Sequence, residues 1–439
     1  MTKHARPLFT RLTTVTKVRR VFRVITASSI LLALILALLL LVAPLVMAQS
    51  FTDSLLAARG TDAGYAARLA DVRGRRLQSR QSATAFMPSA NLSYTQGDNG
   101  GRDATSVSLS QPLLSFDRYL QYQTADPLAV VAVAESRLAD NDLAGRVYKA
   151  MAEIVRNREA IRAISVQIDG LDAQYKRALR MRELGQGTVT EVSDFEVRLA
   201  VGQANRLNQQ NALQAAQRNF TLITGLVPQA QTLNVDNVAP ALDPRPLDDL
   251  VAQVRRGEPS VVVATQNLEL ARINGKRSWA QYLPTLSAQV WRTQVSGSAA
   301  TNATRVGVTL SAPLGASSYF DQQNAVVALD RARENLRAAE DAAVTELRNL
   351  HAAVQSLAGE VSIRQRAVQA AQQAVEGNVK SYQGGVKTNI DVVTSYQNLA
   401  EAEAALVNSR LSQGEAALRL QQLLQAGPQD GAAAVAAAR

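Results

Sequence analysis

The chain has 439 residues, of which 47% are hydrophobic, and a formal net charge of +10, so it is long enough for one large core or two domains. It contains no cysteine, which excludes disulfide bonds, thiolate metal sites and a lipid-modified cysteine. It has only two histidines and no Walker-type glycine-rich loop, so we expect no enzymatic activity, no cofactor and no metal site.

The first 48 residues follow the three-part pattern of a secretory signal peptide. Seven Lys and Arg side chains precede an apolar run from Ile30 to Val46, which closes on Ala48. We expect cleavage before Gln49; an uncleaved membrane anchor is the alternative, because the run is close to the shortest span of a bilayer. Since this leader carries no acidic residue, the remaining chain has a net charge of only +3. No basic stripe with interleaved aromatic residues remains, so nucleic acid is not an expected partner.

Two segments of alternating apolar and polar residues predict β-hairpins, at about residues 89–111 and 285–312. The residues predicted to share one face are Ala90, Leu92, Tyr94, Thr105, Val107 and Leu109 in the first hairpin, and Leu286, Ala288, Val290, Val306, Val308 and Leu310 in the second. Strands of this length with one apolar face are typical of transmembrane barrels. A half-buried hairpin of a soluble protein has the same pattern, so both interpretations stay open here.

Two long segments have the spacing of a coiled-coil seam, with apolar residues three, four and seven positions apart. They cover about residues 140–184 and 344–379. If the first helix begins at Asp117, its length to Leu184 is on the order of 100 Å. The dipeptide Asp126-Pro127 should kink or break it near one end, because proline lacks the amide donor of a helix interior.

Each long helix is predicted to end in a tight turn that leads into a second helix. In the first tip, Gly185 and Gly187 permit left-handed backbone, and Thr188 with Glu191 forms a capping box. The second tip repeats this arrangement with Gly384, Gly385, Thr388 and Asp391. Each pair of glycines and caps could be purely local; what gives them weight is that the rest of the chain repeats as well.

The repeat extends over the whole chain at an offset of about 200 residues, because Pro88 corresponds to Pro284 and Phe116-Asp117 to Phe320-Asp321. The sequence therefore predicts a duplicated unit of helix, hairpin, long helix, tip and helix. The predicted division is a signal peptide at 1–48, a first repeat at 49–226, a linker or equatorial segment at 227–250, a second repeat at 251–426 and a disordered tail at 427–439.

Four strands are too few to close a membrane barrel, so membrane strands here would require an oligomer. The sequence resembles the TolC family of outer-membrane channels from about Phe51 to Leu424. The resemblance lies in the doubled order of the strand openings at Pro88 and Pro284, the hinges "QPLLSFD" and "APLGASSYFD", the tips "GQGTVTEV" and "GVKTNIDVV", and the helix ends "LITG" and "LLQAG".

The resemblance implies a mainly α fold with a membrane β portion. Three copies would form a homotrimer with a twelve-stranded barrel in outer-membrane lipid, continued by an α-helical periplasmic tunnel. The implied role is a passive exit duct that works with a periplasmic adaptor and an inner-membrane transporter of the ABC or RND type. It would expel small toxic compounds or, in type I secretion, proteins. An N-terminally anchored periplasmic coiled-coil adaptor or structural protein is the alternative function.

The resemblance also implies a gate at the tips. By position, Asp391 matches the first acidic residue of the family's constriction, Thr394 stands where the second acid is expected, and Asp194 is the carboxylate at the matching first-repeat position. The contacts implied to hold the closed state are Tyr382 and Lys387 on one tip with Thr190 and Glu191 on the other. Lys387 replaces an arginine, which removes a bidentate donor. Asp391 and Glu191 also fit a capping role, so gate and cap both remain open.

Overall fold

The computed structural model describes residues 50–96, 103–228, 233, 244–296, 301–312 and 318–425. The predicted signal peptide at 1–48 and tail at 427–439 lie outside the described residues, as does most of the predicted linker. The first half contains α1 (Phe51–Thr61), α2 (Ala63–Ala83), β1 (Ser89–Thr95), β2 (Asp103–Leu114), α3 (Phe116–Gln123), α4 (Ala125–Glu183) and α5 (Val189–Thr224). The second half contains α6 (Leu247–Gly257), α7 (Pro259–Ala280), β3 (Thr285–Ser296), β4 (Thr301–Ser311), α8 (Ser318–Gln383) and α9 (Asn389–Leu424).

The two halves share one order of elements but differ where the long helix begins. In the second half α8 runs without interruption, whereas in the first half Thr124 separates α3 from α4. The Thr124 hydroxyl donates to the Gln121 carbonyl oxygen at 2.7 Å and also contacts Ser82 Oγ at 2.9 Å. Pro127 follows in the first turn of α4, where a missing amide donor costs no helix hydrogen bond. The interruption therefore precedes the proline rather than coinciding with it.

The four strands form one antiparallel sheet in the order β1-β2-β3-β4. Register places Ala90, Leu109, Val290 and Val306 side by side in one row across all four strands. Because directly opposed residues share a face, the apolar residues predicted from the alternation lie together on one side of the sheet. On the other side Ser93 and Ser106 meet, with their hydroxyl oxygens 2.6 Å apart.

Neither face of this sheet is covered. No described strand side chain is buried, and Leu92, Val306 and Leu310 are 70%, 77% and 70% exposed. Each half contributes one hairpin, and β2 joins β3 at the centre, so β1 and β4 are the outer strands. In the described part of the chain no helix has the combination of length and hydropathy needed to cross a membrane.

The core lies among the helices, with α4 at its centre. Tyr148, Met151 and Ile154 on α4 are fully buried against Phe220 of α5 and Leu418 of α9. A second cluster joins α6, α7, α8 and α9, and its members Leu250, Val254 and Leu347 are completely buried. The α4 helix thus packs against both halves of the chain, which follows from the apolar seam that its sequence predicts.

Asp62 is one of several residues whose polar contacts join the short helices to α4. The Asp62 side chain accepts a hydrogen bond from the Tyr65 amide at 2.5 Å, which caps the start of α2. Its two carboxylate oxygens also accept from both terminal nitrogens of Arg146, at 2.7 and 2.9 Å. The Arg146 guanidinium holds the pKa of Asp62 below its ordinary value, despite burial. One carboxylate therefore performs a capping role and an ion-pairing role.

Replacing Asp62 separates these roles. We expect Asp62→Ala to cost about 1 to 2 kcal/mol, since it removes both the cap and the ion pair, and Asp62→Asn to cost less, since an amide oxygen still caps the helix. Thermal unfolding followed by far-UV circular dichroism in detergent measures the difference. Because folding lowers the pKa of Asp62 from 3.8, its stabilisation is present above that pH and is lost as the pH falls through the folded value. Equal melting temperatures of the two variants at neutral pH would contradict this assignment.

Candidate functional site

The two tips use the same turn to leave the long helices. Gly185 and Gly385 have φ of 72° and 74°, the left-handed conformation that favours glycine after a helix. The amide of Gln186 donates to the Met181 carbonyl at 2.8 Å, which satisfies an otherwise free helix carbonyl. Gly187 is needed for a different reason, since a Cβ there would lie 2.9 Å from the Arg182 amide nitrogen.

The helix caps after these turns are chemically different. In the first tip the Thr188 hydroxyl accepts from the Glu191 amide at 3.2 Å. In the second tip the Asp391 carboxylate accepts from both the amide and the hydroxyl of Thr388, each at 2.9 Å. These bonds, led by the Thr388 amide, lower the pKa of Asp391. Asp391 therefore closes its own helix, whereas the Glu191 carboxylate is directed elsewhere.

The Glu191 carboxylate crosses to the second tip, where the Tyr382 hydroxyl donates to it at 2.5 Å. The ring of Tyr382 meets Phe195 edge to face, with centroids 6.4 Å apart, and the Arg177 guanidinium lies 5.9 Å from the ring centroid. Burial, together with the bond to Glu191, raises the pKa of Tyr382 far above its ordinary value. The phenol thus remains a neutral donor, held by one hydrogen bond, one aromatic contact and one cation–π contact.

Two further polar contacts join the tips. Arg177 Nη2 donates to the Gln383 carbonyl at 3.2 Å. Asn389 Nδ2 donates to Asp194 Oδ2 at 3.5 Å. Both carboxylates of the first tip, Glu191 and Asp194, therefore face donors on the second tip.

Beneath these contacts lies a small apolar core that joins the two helical hairpins. Its buried members come from α4, α5 and α9, and they are Ile168, Leu171, Ala178, Val192, Phe195, Leu199 and Val393. Phe195 is completely buried, and Tyr382 packs against the cluster from α8. The polar contacts at the tips are therefore backed by packing that would have to separate with them.

The structure brings together some of the predicted gate residues and separates others. Tyr382 and Glu191 are in contact, as described above. Lys387 lies in its own tip, 3.5 Å from Asp391 Oδ1, and Thr190 and Thr394 are exposed. Sequence analysis did not identify Arg177, Phe195 or Asn389 as part of this site. Only Phe195 carried a usable signal, because it continues an apolar helical face three residues after Val192.

The part of the chain that the structure describes holds no group of three or more His, Asp or Glu side chains suited to a metal ion. Donors and acceptors at the tips pair with one another, so the site is a polar contact between two helical hairpins.

Comparison with known proteins agrees with this architecture. Residues 250–426 match the family model described as outer membrane efflux protein. The outer membrane protein TolC of Vibrio cholerae is 22% identical over 363 residues, which cover 78% of this chain and 83% of that protein. The resemblance to the TolC family is confirmed.

A second TolC-family relative is the proteases secretion protein PrtF of Dickeya chrysanthemi, 24% identical over 69% of this chain and 68% of its own. Among solved structures, the outer membrane protein VceC of Vibrio cholerae has a TM-score of 0.69 at 19% identity, covering 86% of this chain and 96% of that one. The CmeC outer membrane channel of Campylobacter jejuni has a TM-score of 0.73 at 13% identity, covering 88% and 89%. The mainly α part of the predicted fold is therefore confirmed, and the described residues, with one sheet of four strands, have a fold similar to that of these outer membrane channels.

The contact between Tyr382 and Glu191 can be tested by proteolysis, because basic residues flank both tips. We expect Tyr382→Phe to make trypsin cleavage after Arg182 or Lys387 roughly tenfold faster, since a hydrogen bond to a charged acceptor contributes about 1.5 kcal/mol. Mass spectrometry of timed digests identifies the sites. Thr394→Ala is the matched control, because Thr394 is an exposed tip residue, and it should cleave at the unaltered rate. Equal rates for all three proteins would show that this bond does not hold the tips together.

Proposed function

We propose that the protein is a passive exit duct in the cell outer membrane, extending into the periplasm. The observation that carries the proposal is the four-stranded sheet, which has most of its apolar residues on one side, with Arg292 and Gln294 as polar exceptions there, and is buried on neither side. In water, an apolar sheet face of this size would pack against a second layer. A lipid bilayer on one side and a water-filled lumen on the other give each face the environment that its side chains favour.

The outer strands of the sheet determine the assembly. Unpaired edge groups are not tolerated in hydrocarbon, so β1 and β4 must pair with other copies of the chain. Three copies supply twelve strands, which is enough to close a barrel, whereas one copy supplies only four; the choice of three copies over two comes from the resemblance to the TolC family. In this trimer the helical hairpins of each half continue the barrel as a tunnel. The family description as outer membrane efflux protein supports the same location and role.

The tips would then form the periplasmic gate. Three copies of Asp391, Asp194 and Thr394 around the tunnel axis would narrow the periplasmic entrance, and the two carboxylates of each copy would concentrate negative potential, which favours cations. Contact between Tyr382 and Glu191 would hold the closed state in each copy. Two neighbouring residues would adjust the strength of this contact. Lys387 partly neutralises Asp391, and Thr190 lies at the exposed start of α5.

Energy and cargo selection would come from partner proteins. The duct would dock a periplasmic adaptor and an inner-membrane transporter of the ABC or RND type, because the sequence has no nucleotide-binding loop of its own. The name of the relative PrtF refers to protease secretion and supports type I export of proteins. The family's efflux description supports export of small toxic compounds. The transporter beside the duct would decide between these two kinds of cargo.

The trimer is tested by native mass spectrometry of protein extracted in detergent from purified outer membranes. We expect an assembly of three chains, each beginning near Gln49, because lipid-facing strand edges have to be paired. The denatured mass measured in parallel shows whether residues 1–48 are absent. A monomer that retains them and fractionates with the inner membrane would reject the duct and favour the anchored coiled-coil adaptor.

Two substitutions at Asp391 separate charge from capping. We expect Asp391→Ala to raise the leak through the closed channel, because it removes both the cap of α9 and the acidic ring. Asp391→Asn keeps an oxygen that can accept from Thr388, so it should weaken block by multivalent cations with a smaller rise in leak. Single-channel recording in planar lipid bilayers measures both. If cation block is unchanged in both variants, Asp391 is not part of the gate.

A further inference from the structure

The two helical hairpins meet along α4 and α9, which run in opposite directions. At the end away from the tips, the buried Tyr148 hydroxyl donates to the Leu411 carbonyl at 2.8 Å. Further contacts join Arg156 Nε to Asn408 Oδ1 at 2.9 Å and Lys149 to Glu415 at 3.8 Å. These contacts join residues 148–156 of α4 to residues 408–415 of α9, and they fix the register of the two antiparallel helices.

Closer to the tips, the contact between α4 and α9, here called the seam, is made by a different kind of interaction. The ring of Tyr396 lies directly on Gly170, where α4 has no side chain. A Cβ added at Gly170 would come closer than 3.0 Å to the ring carbons and the hydroxyl oxygen of Tyr396. The aromatic ring therefore occupies the space that any other residue at position 170 would fill. We call this packing of the Tyr396 ring on Gly170 the seat of Tyr396. Burial there raises the pKa of Tyr396.

The two tyrosines of the seam, Tyr148 and Tyr396, are held by different interactions. Tyr148 also lies against a glycine, Gly414, but its hydroxyl is buried and hydrogen-bonded, so removing it would leave a polar group without its partner. Within the described residues the Tyr396 hydroxyl makes no hydrogen bond, and its seat depends on close packing alone. Dispersion contacts of this kind weaken steeply with small separations. The contact at Tyr148 is therefore the more costly to break, and the contact at Tyr396 the easier to release.

A buried polar group beside the seat favours release. Gln174 lies one turn beyond Gly170 on α4 and is 5% exposed. Its Oε1 has no hydrogen-bond partner in the described part of the chain. An unsatisfied buried oxygen costs free energy, and that cost would be relieved if this stretch of the seam opened to water.

We propose that the seat of Tyr396 on Gly170 is a second closure contact of the gate, separate from the bond between Tyr382 and Glu191. In this arrangement α9 separates from α4 at Gly170 when the tips open, while the Tyr148 end of the seam stays together and acts as the pivot. Tyr396 and Gly170 are then positioning residues for the closed state. This inference rests on the proposed duct function.

The absence of cysteine in the chain allows a direct test by cross-linking. The double variant Gly170→Cys with Tyr396→Cys, joined by a flexible methanethiosulfonate linker, should lose channel opening in planar bilayers and regain it on reduction. The matched pair Lys149→Cys with Glu415→Cys joins the same two helices at the pivot. Linking that pair should leave opening unchanged, because this end of the seam does not separate.

Single substitutions test the seat without a linker. Gly170→Ala or Tyr396→Ala should raise the open probability roughly tenfold, the shift expected when overpacking or loss of a packed ring disfavours one state. Because both act on one contact, the double variant should open no more often than Tyr396→Ala alone. Gly145→Ala is the control on the same helix, since a Cβ there meets nothing within 4 Å.

The outcomes distinguish this inference from the function on which it rests. Suppose that the unaltered trimer conducts. The second closure contact is then wrong, and the duct stands, if linking positions 170 and 396 leaves opening unchanged. The same conclusion follows if linking positions 149 and 415 blocks opening equally. If the unaltered protein forms no trimer and no channel, the duct itself is wrong. Native mass and circular dichroism confirm that each variant is assembled, and the linked pair decides the question where Gly170→Ala does not fold.

Discussion

In the proposed duct, the organisation of this protein depends on a requirement for hydrogen bonding that one chain cannot meet. Backbone amides and carbonyls placed in lipid must all be paired, and a four-stranded sheet leaves two edges open. One apolar row crosses the full width of the sheet, because register keeps Ala90, Leu109, Val290 and Val306 side by side. In the proposed duct, the duplicated halves supply strands to a shared assembly, and the long helices continue it away from the membrane.

Duplication gives two similar tips, and their small differences create the site. Thr188 and Thr388 occupy equivalent positions, yet the acid three residues later serves its own helix in one tip and the opposite hairpin in the other. A glutamate side chain is one methylene longer than an aspartate, and this length suits a contact across the tips at Glu191 and a local cap at Asp391. A repeated sequence can thus form an asymmetric contact without any new element.

Local patterns in the sequence were sufficient to predict the elements. Alternation predicted which strand residues share a face, heptad spacing predicted the long helices, and glycines with capping residues predicted both tips. The partners of side chains were not predictable in this way, because they depend on positions far apart in the chain. Tyr382 and Glu191 are separated by 191 positions, and Arg177 carries no local signal for its place beside the Tyr382 ring. A capping-box pattern likewise contains no information about a competing partner.

The interruption at Thr124 gives the two halves unequal mechanical properties. The α8 helix is continuous for 66 residues, so it behaves as a stiff lever on the order of 100 Å long between the strands and the tips. In the first half the hydrogen-bonded ladder is broken after Gln123, and that joint can absorb rotation. Displacement at the second tip would therefore be transmitted along α8 towards the sheet, whereas displacement at the first tip would be damped at Thr124 before it reached the strands.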